Sequence, residues 1–283
     1  MELSDLRCFC AVVEAGGVIS ASRRLHRVPS AVSTRIRGLE GDLGVALFVR
    51  EGQRLRLTEA GSRLHAYARQ MLSLADEARR AVVDSPARQA LRLGSMESTA
   101  AARLPKPLAQ FHARHPDVDV ELHIGPPQEL KQRVAAGELD AAFVAEPVAD
   151  PRLASVCAFR EELLIVTSPT PHAVRRAADL AKPTMLAFHT GCPYRQRLEA
   201  WFERSGMQPE RVVELASYHA ILGCVAAGMG VALMPGSVIA TFPERRRLGL
   251  HPLTGRFASV ETRLVWPRSG MSAAVAALRA LLG

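Results

Sequence analysis

The chain has 283 residues, a formal net charge of +8 and 36 basic residues, of which only Lys106, Lys131 and Lys182 are lysine. This length suits more than one domain, and the strongly basic balance points to a polyanionic partner. The sequence contains no run of the roughly 18 apolar residues that a membrane helix needs, no HExxH, and neither GxGxxG nor GxxxxGK[ST], so membrane, metalloprotease and common nucleotide-binding readings lack support.

Taken in order, the first predicted helix starts at a Ser4 cap, repeats Leu6, Phe9, Cys10 and Val13 on one face, and ends at Gly16-Gly17, where positive φ is tolerated. Residues 18–50 then read as a short helix, a tight turn at His26-Arg27-Val28, a second helix opened by Pro29, and a basic hairpin. Val32, Ile36, Leu39 and Leu43 of the second helix fall on one narrow stripe, which predicts burial. Ser30, Thr34 and Arg37 project from the opposite side, with Ser33 on the flank. Short hydroxyls beside a long cation are groups that hydrogen-bond base edges in a major groove or grip adjacent phosphates. Residues 46–49 and 55–57 read as two strands around Glu51-Gly52-Gln53, with Arg50, Arg54 and Arg56 near the tip. Such a wing tracks the sugar-phosphate backbone or enters the minor groove. Between residues 21 and 56 eight arginines face three acids, an excess of +5 by subtraction. An unpartnered solvated basic face is the plainer account of the charge alone, but it leaves the helix-turn-helix spacing unexplained. The predicted double-stranded DNA interface therefore comprises Arg23, Arg24, Pro29, Ser30, Ser33, Thr34, Arg37, Arg50 and Arg54.

Thr58 followed by Glu59 marks the start of a long helix. Its apolar or small residues at Leu64, Ala68, Met71, Ala75, Ala78 and Val82 alternate steps of four and three, which predicts a coiled-coil seam and a homodimer. The alternative is that this stripe packs on the chain's own C-terminal domain. Asp84-Ser85-Pro86 ends the helix, giving a winged helix-turn-helix over 1–58, a linker helix over 59–87 and a third region over 88–283.

From residue 91 strand-like runs alternate with helical ones in a parallel α/β pattern that shifts at 162–167 and returns at 262–266. Two lobes joined by two crossings account for it: lobe I over about 88–162 and 267–283, lobe II over about 163–266. Ligands of open α/β sheets sit at the carboxyl ends of strands, where helix N-termini offer free N–H groups. Ser98 and Thr99 follow one such strand, Gln128 another, and Ser217 and His219 a third. Either they hold a small anionic or polar effector or the hydroxyls cap their helices; the sequence leaves both open.

The five cysteines, at 8, 10, 157, 192 and 224, form no CxxC and follow no secretory leader, which predicts reduced thiols and a cytoplasmic location. Cys8 and Cys10 belong to a core face, whereas Cys192, just before Pro193, lies where a helix dipole would favour its thiolate. An enzymatic reading through His219 or Cys192 lacks any base placed beside either residue, and no cofactor is expected.

Residues 4–61 resemble the DNA-binding end of LysR-type transcriptional regulators. The likeness is carried by Leu6-Arg7-Cys8-Phe9, Ala21-Ser22-Arg23-Arg24-Leu25-His26, Ala31-Val32-Ser33, Ile36-Arg37-Gly38-Leu39-Glu40, Leu47-Phe48 and Leu57-Thr58-Glu59-Ala60-Gly61. Pro29 stands where such regulators commonly place a DNA-contacting Gln, which shifts base reading toward Ser30, Ser33 and Thr34. The remainder is similar to the effector domain of the same family, a two-lobed fold like that of periplasmic solute-binding proteins, through Gly94-Ser95-Met96-Glu97-Ser98, Phe111-His112-Ala113-Arg114-His115-Pro116, Gly137-Glu138-Leu139-Asp140 and Val225-Ala226-Ala227-Gly228-Met229-Gly230. The resemblance implies a regulator that binds promoter DNA, responds to a small effector, assembles as a homodimer or homotetramer and communicates with RNA polymerase. Pro126 and Pro127 replace small polar residues common in the loop before Gln128.

Overall fold

The computed structural model describes residues 1–51, 54–83, 89–145, 147–180 and 183–282. The backbone forms two compact units, Met1–Arg88 with Ala135–Glu138, and Gln89–Val134 with Leu139–Gly283.

The first unit contains α1 (Leu3–Glu14), α2 (Val18–Arg24), α3 (Pro29–Leu43), β1 (Phe48–Glu51), β2 (Arg54–Leu57) and α4 (Glu59–Val83). Helix α1 starts earlier than a Ser4 cap requires. Glu2 is its N-cap and donates its own N–H to Asp5 Oδ2 at 2.9 Å, while the Ser4 hydroxyl accepts from Arg35 instead. Gly16 ends α1 at φ 70°, and His26, a rare non-glycine in the left-handed region at φ 51°, turns the chain from α2 into α3. Leu6, Phe9 and Cys10 of α1 pack on Val32, Ile36 and Leu39 of α3 in one core that also takes Cys8, Ala21, Leu47 and Ala68. Leu43 departs from the stripe and is 36% exposed, because Gly44 ends α3 at φ 67° and the chain leaves for the wing.

Strands β1 and β2 pair antiparallel from Phe48↔Leu57 to Glu51↔Arg54; Gly52 and Gln53 lie outside the described residues. The first strand begins two residues later than the apolar run at 46–49 predicts. The Ala46 carbonyl accepts the Thr58 hydroxyl (2.8 Å), Leu47 N–H donates to Glu40 Oε1 (2.8 Å), and the Leu47 carbonyl accepts from Thr58 N–H (3.0 Å), so both residues are tied elsewhere. Thr58 caps α4 as expected, its hydroxyl accepting the Gly61 N–H at 2.9 Å.

The predicted seam of α4 is divided. Ala68 is buried, and Leu64 and Met71 pack on the winged-helix core of their own chain. Tyr67 (64%) and Leu74 (65%) are exposed, as is Ala78, and these three share a neighbouring stripe; the Val82 side chain lies outside those described.

The second unit runs β3 (Gln89–Ser95), α5 (Glu97–Ala102), α6 (Pro105–Arg114), β4 (Val118–Ile124), α7 (Pro127–Ala135), β5 (Ala141–Ala145), β6 (Leu153–Thr167), β7 (Thr184–Ala187), α8 (Pro193–Arg204), β8 (Arg211–Glu214), α9 (Tyr218–Ala226), β9 (Ala232–Pro235), α10 (Gly236–Thr241), β10 (Gly249–Pro252), β11 (Ser259–Pro267) and α11 (Ala273–Arg279). Strands β4, β3 and β5 are parallel neighbours, as are β7 and β8. The joining strands are antiparallel: β11 pairs with both β5 and β6, and β6 also pairs with β9 and β10. An all-parallel reading therefore needs correcting at the centre. The lobe changeovers expected near residues 162 and 266 fall inside β6 and β11 rather than in loops, because each crossing is a continuous strand hydrogen-bonded to the other. Two separate cores flank this ribbon, one around Leu91, Phe111, Phe143 and Leu278, the other around Ile165, Phe202, Ile221 and Leu233.

Candidate nucleic-acid interface and inter-lobe site

Helix α3 presents Ser30, Thr34 and Arg37 to solvent, with Ser33 half-buried on the flank and Pro29 exposed at its first turn. The Arg37 guanidinium folds back along its own helix, its Nη2 3.5 Å from Thr34 Oγ1 and its Nε 3.4 Å from the Ser33 carbonyl. Such long bonds hold the group loosely over the hydroxyl it would accompany into a groove. An open groove of about 580 Å³ runs beside the helix, lined by Ser30, Thr34, Arg27, Arg35, Asp5 and Gly38. Arg27 and Arg35 are basic lining that a search confined to the helix face misses. Arg35 is pinned to Asp5 (3.2 Å) and Ser4, so it braces α3 against α1, whereas Arg27 is exposed.

Arg23 and Arg24 are both exposed on α2, but Arg24 forms an ion pair with Glu14 at 2.7 Å. Arg50 is exposed on β1; Arg54 stands opposite Glu51 in β2, and its side chain lies outside those described. The wing is oriented by Glu40, whose Oε1 accepts from Leu47 N–H (2.8 Å) and Phe48 N–H (3.2 Å). One carboxylate near the end of α3 thus fixes where the arginine hairpin begins.

In the second unit, Ser98 and Thr99 are buried in α5 just after β3. Ser98 Oγ lies 3.5 Å from Tyr194 Oη, which comes from α8 in the other lobe, and Glu97 Oε1 accepts from the Tyr218 N–H at the start of α9, 3.4 Å away. Ser98 and the α9 terminus are therefore brought to one inter-lobe site. Ser217 is the N-cap of α9 but its side chain makes no capping bond, which removes the plainer account of that hydroxyl. His219 is exposed in the first turn of α9. Gln128 is exposed in the first turn of α7, following β4, next to β3 in the sheet.

Sequence reasoning missed the partners: buried Tyr194, Tyr218 and Glu161, and half-buried Glu97 and Arg103. Burial raises both tyrosine pKa values well above the usual phenol range, so these hydroxyls stay protonated and can donate. At the far end of α5, Arg103 grips Glu161 of β6 through Nε–Oε1 (2.6 Å) and Nη2–Oε2 (3.1 Å), and Ser237 of α10 donates to the same Oε2 at 2.7 Å. Both lobes meet there on one carboxylate that is only 5% exposed.

Cys192 corrects an expectation. It is the N-cap of α8, but it is buried, and desolvation raises its thiol pKa more than the Arg195 and Tyr194 N–H groups lower it. Loss of hydration outweighs the helix end, so the thiolate is disfavoured. Among the described residues no group of His, Cys, Asp and Glu could hold a metal ion, and no helix is long and apolar enough to cross a membrane.

Two family models match the chain. Residues 3–62 match the bacterial regulatory helix-turn-helix protein of the lysR family, and residues 84–283 match the LysR substrate binding domain. The HTH-type transcriptional regulator GltR of Bacillus subtilis (strain 168) is 34% identical over 266 residues, covering 94% of this chain and 90% of that protein. Among solved structures, CbnR, described as a LysR family transcriptional regulator, is similar with a TM-score of 0.65 and 25% identity, covering 100% of this chain and 98% of that one. Full-length CbnR complexed with its target DNA is similar with a TM-score of 0.63, also at 25% identity, covering 100% of this chain and 99% of that one.

Proposed function

The chain belongs to the LysR family, and from that membership we propose that it reads promoter DNA through α3 and the wing under the control of a small molecule held between its C-terminal lobes. It is a DNA-binding transcriptional regulator with an effector-binding domain, and not an enzyme. The single observation carrying the DNA reading is the face of α3: Ser30, Thr34 and Arg37 stand in solvent over a stripe whose Val32, Ile36 and Leu39 are buried. In this reading Ser30, Ser33 and Thr34 read base edges, Arg37 adds a base or phosphate contact, and Arg23, Arg24, Arg50 and Arg54 hold the backbone. Pro29 contributes the fixed entry to the helix in place of a polar contact.

The proposed division is a winged helix-turn-helix over 1–58, a linker over 59–87 and an effector domain over 88–283. Dimerisation through α4 follows from Tyr67, Leu74 and Ala78, an exposed apolar stripe on the helix side left free by the chain's own core. A two-fold pair of recognition helices suits a palindromic site, and further association to a tetramer and contact with RNA polymerase belong to the same reading, as does action in the cytoplasm. The effector, gripped by Ser98 and Thr99 with Ser217, His219 and Gln128 nearby, acts by binding one arrangement of the regulator more tightly than another.

Footprinting of the full-length protein on DNA upstream of its own and the adjacent gene tests the reading. Arg37→Ala is expected to weaken protection, and Ser33→Ala and Thr34→Ala to blur its sequence preference more than they reduce nonspecific affinity. Unaltered footprints in all three variants would remove this face from DNA recognition.

A further inference from the structure

A carboxylate partly withdrawn from water is unfavourable unless a cation or several N–H donors compensate it. Glu97 is such a group at the inter-lobe site. Among the described residues it accepts one hydrogen bond, from Tyr218 N–H at 3.4 Å, and burial pushes its pKa up more than that bond and the nearby His219 pull it down. Among the described residues no lysine or arginine forms an ion pair with it; Arg103 is engaged by Glu161, and Arg195 by Glu199 (2.8 Å) and Glu214 (2.9 Å). The neighbouring wall is aromatic, with Tyr218 buried and its ring centroid 4.4 Å from that of Phe188. Ser98, the next residue along, shares its hydroxyl with buried Tyr194.

A carboxylate whose burial outweighs its compensation, lying near aromatic rings and hydroxyls, offers acceptors for a protonated nitrogen. An anion would meet the opposite situation, since Glu97 already occupies the amide end of α9 and would stand against it as a like charge. We propose that Glu97 selects an effector bearing an ammonium or guanidinium group, with the carboxylate as counter-ion and the Ser98 and Tyr194 hydroxyls fixing its orientation. This inference rests on the reading that the effector binds between the lobes, and it replaces the anionic effector expected from helix ends alone.

Thermal unfolding of the full-length protein with size-matched probes tests it: agmatine, 1,4-diaminobutane and L-ornithine against succinate and glutarate. At least one nitrogen cation is expected to raise the effector-unit Tm by about 2 °C or more at millimolar concentration, with both dicarboxylates inert. Glu97→Gln, nearly isosteric, is expected to weaken that probe about tenfold or more, and Ser98→Ala to weaken it as well. Stabilisation by a dicarboxylate that persists or strengthens in Glu97→Gln but is lost in Ser98→Ala overturns the cation assignment while leaving inter-lobe binding intact. A cation shift untouched by both variants overturns the site and the inter-lobe reading together. Absence of any cation shift overturns the proposal, and because the wild-type profile alone decides the sign of charge, the test survives a poorly folding variant.

Discussion

Helix α3 and the inter-lobe site use the same short hydroxyl residues in opposite ways. Ser30 and Thr34 stand in solvent on a helix whose other face is sealed, whereas Ser98 is buried against a tyrosine contributed by a helix almost a hundred residues away. Exposed hydroxyls keep their hydrogen-bonding capacity for a partner that arrives with its own groups, which suits the reading of many base-pair edges. A buried hydroxyl is already committed, and a ligand reaching it must offer something as good in return. That contrast places variability of contact at the DNA face and selectivity in the effector unit.

Unfolding one unit should leave the other readable. A methyl group at Gly61 would press on the Leu47 carbonyl oxygen, and one at Gly230 on the Thr184 carbonyl oxygen, both far inside contact distance and both against backbone that cannot swing aside. Each substitution to Ala is expected to destabilise its unit by about 3 kcal/mol. Gly61→Ala should abolish DNA binding while a calorimetric transition for the effector unit persists; Gly230→Ala should lower the effector-unit transition directly. A Gly61→Ala protein with native DNA affinity would show that the close approach of α4 to Leu47 is dispensable.

A somewhat smaller loss is expected at the inter-lobe carboxylate. Arg103→Met leaves Glu161 buried with only the Ser237 hydroxyl, costing on the order of 2 kcal/mol after allowance for the partly exposed guanidinium. The double variant Arg103→Met/Glu161→Gln should recover part of that loss, since the uncompensated charge is gone. Equal melting temperatures for the single and double variants would show that the charge is hydrated after all. At the proposed DNA face, by contrast, Thr34→Ala should leave melting unchanged and cost about 1 kcal/mol of discrimination between cognate and mutated operators.

The orientation of α3 was legible because its information is local. One apolar period, one proline and one arginine hairpin suffice to orient α3, and only the ends slipped, at Leu43 and at the start of β1, where Gly44 and the Glu40 and Thr58 hydrogen bonds act on single residues. The α4 seam was half legible: period 3.5 located an apolar stripe, but period alone does not say whether the partner of Leu64 and Ala68 is another chain or the residues of α1. The inter-lobe site was least legible. Its motif, Gly94-Ser95-Met96-Glu97-Ser98, stood out, yet Tyr194, Tyr218 and Glu161 join it only through antiparallel crossings between β6 and β11, and nothing in their own segments marks them. Strand β6 was read only over its last residues, 162–167, because Arg160-Glu161-Glu162 interrupts its apolar run and its first half is half-exposed.

The smallest effect separates the two units by acidity rather than by mutation. His251 in β10 is buried: its Nδ1 accepts from the Val174 N–H at 3.2 Å, so its proton sits on Nε2, 3.0 Å from Thr167 Oγ1. The Thr167 hydroxyl proton is directed to the Ser168 carbonyl, leaving its oxygen free to accept. Adding a second proton at Nδ1 would break the Val174 bond, and burial already holds the His251 pKa below its ordinary value. The folded state therefore binds this proton less readily than the unfolded chain. The stabilisation is complete above the usual histidine range near 6.5 and is lost as pH falls from there toward the depressed folded value. His65 in α4 carries the same sign through burial and the nearby Arg69 charge, so acid should erode both units, each through its own histidine. His251→Gln, whose amide can reproduce one of the two hydrogen bonds, should lower effector-unit stability at pH 7.5 and flatten its decline toward pH 5.5, while the winged-helix transition keeps its wild-type slope. An effector-unit slope unchanged by His251→Gln would assign the acid sensitivity to other groups.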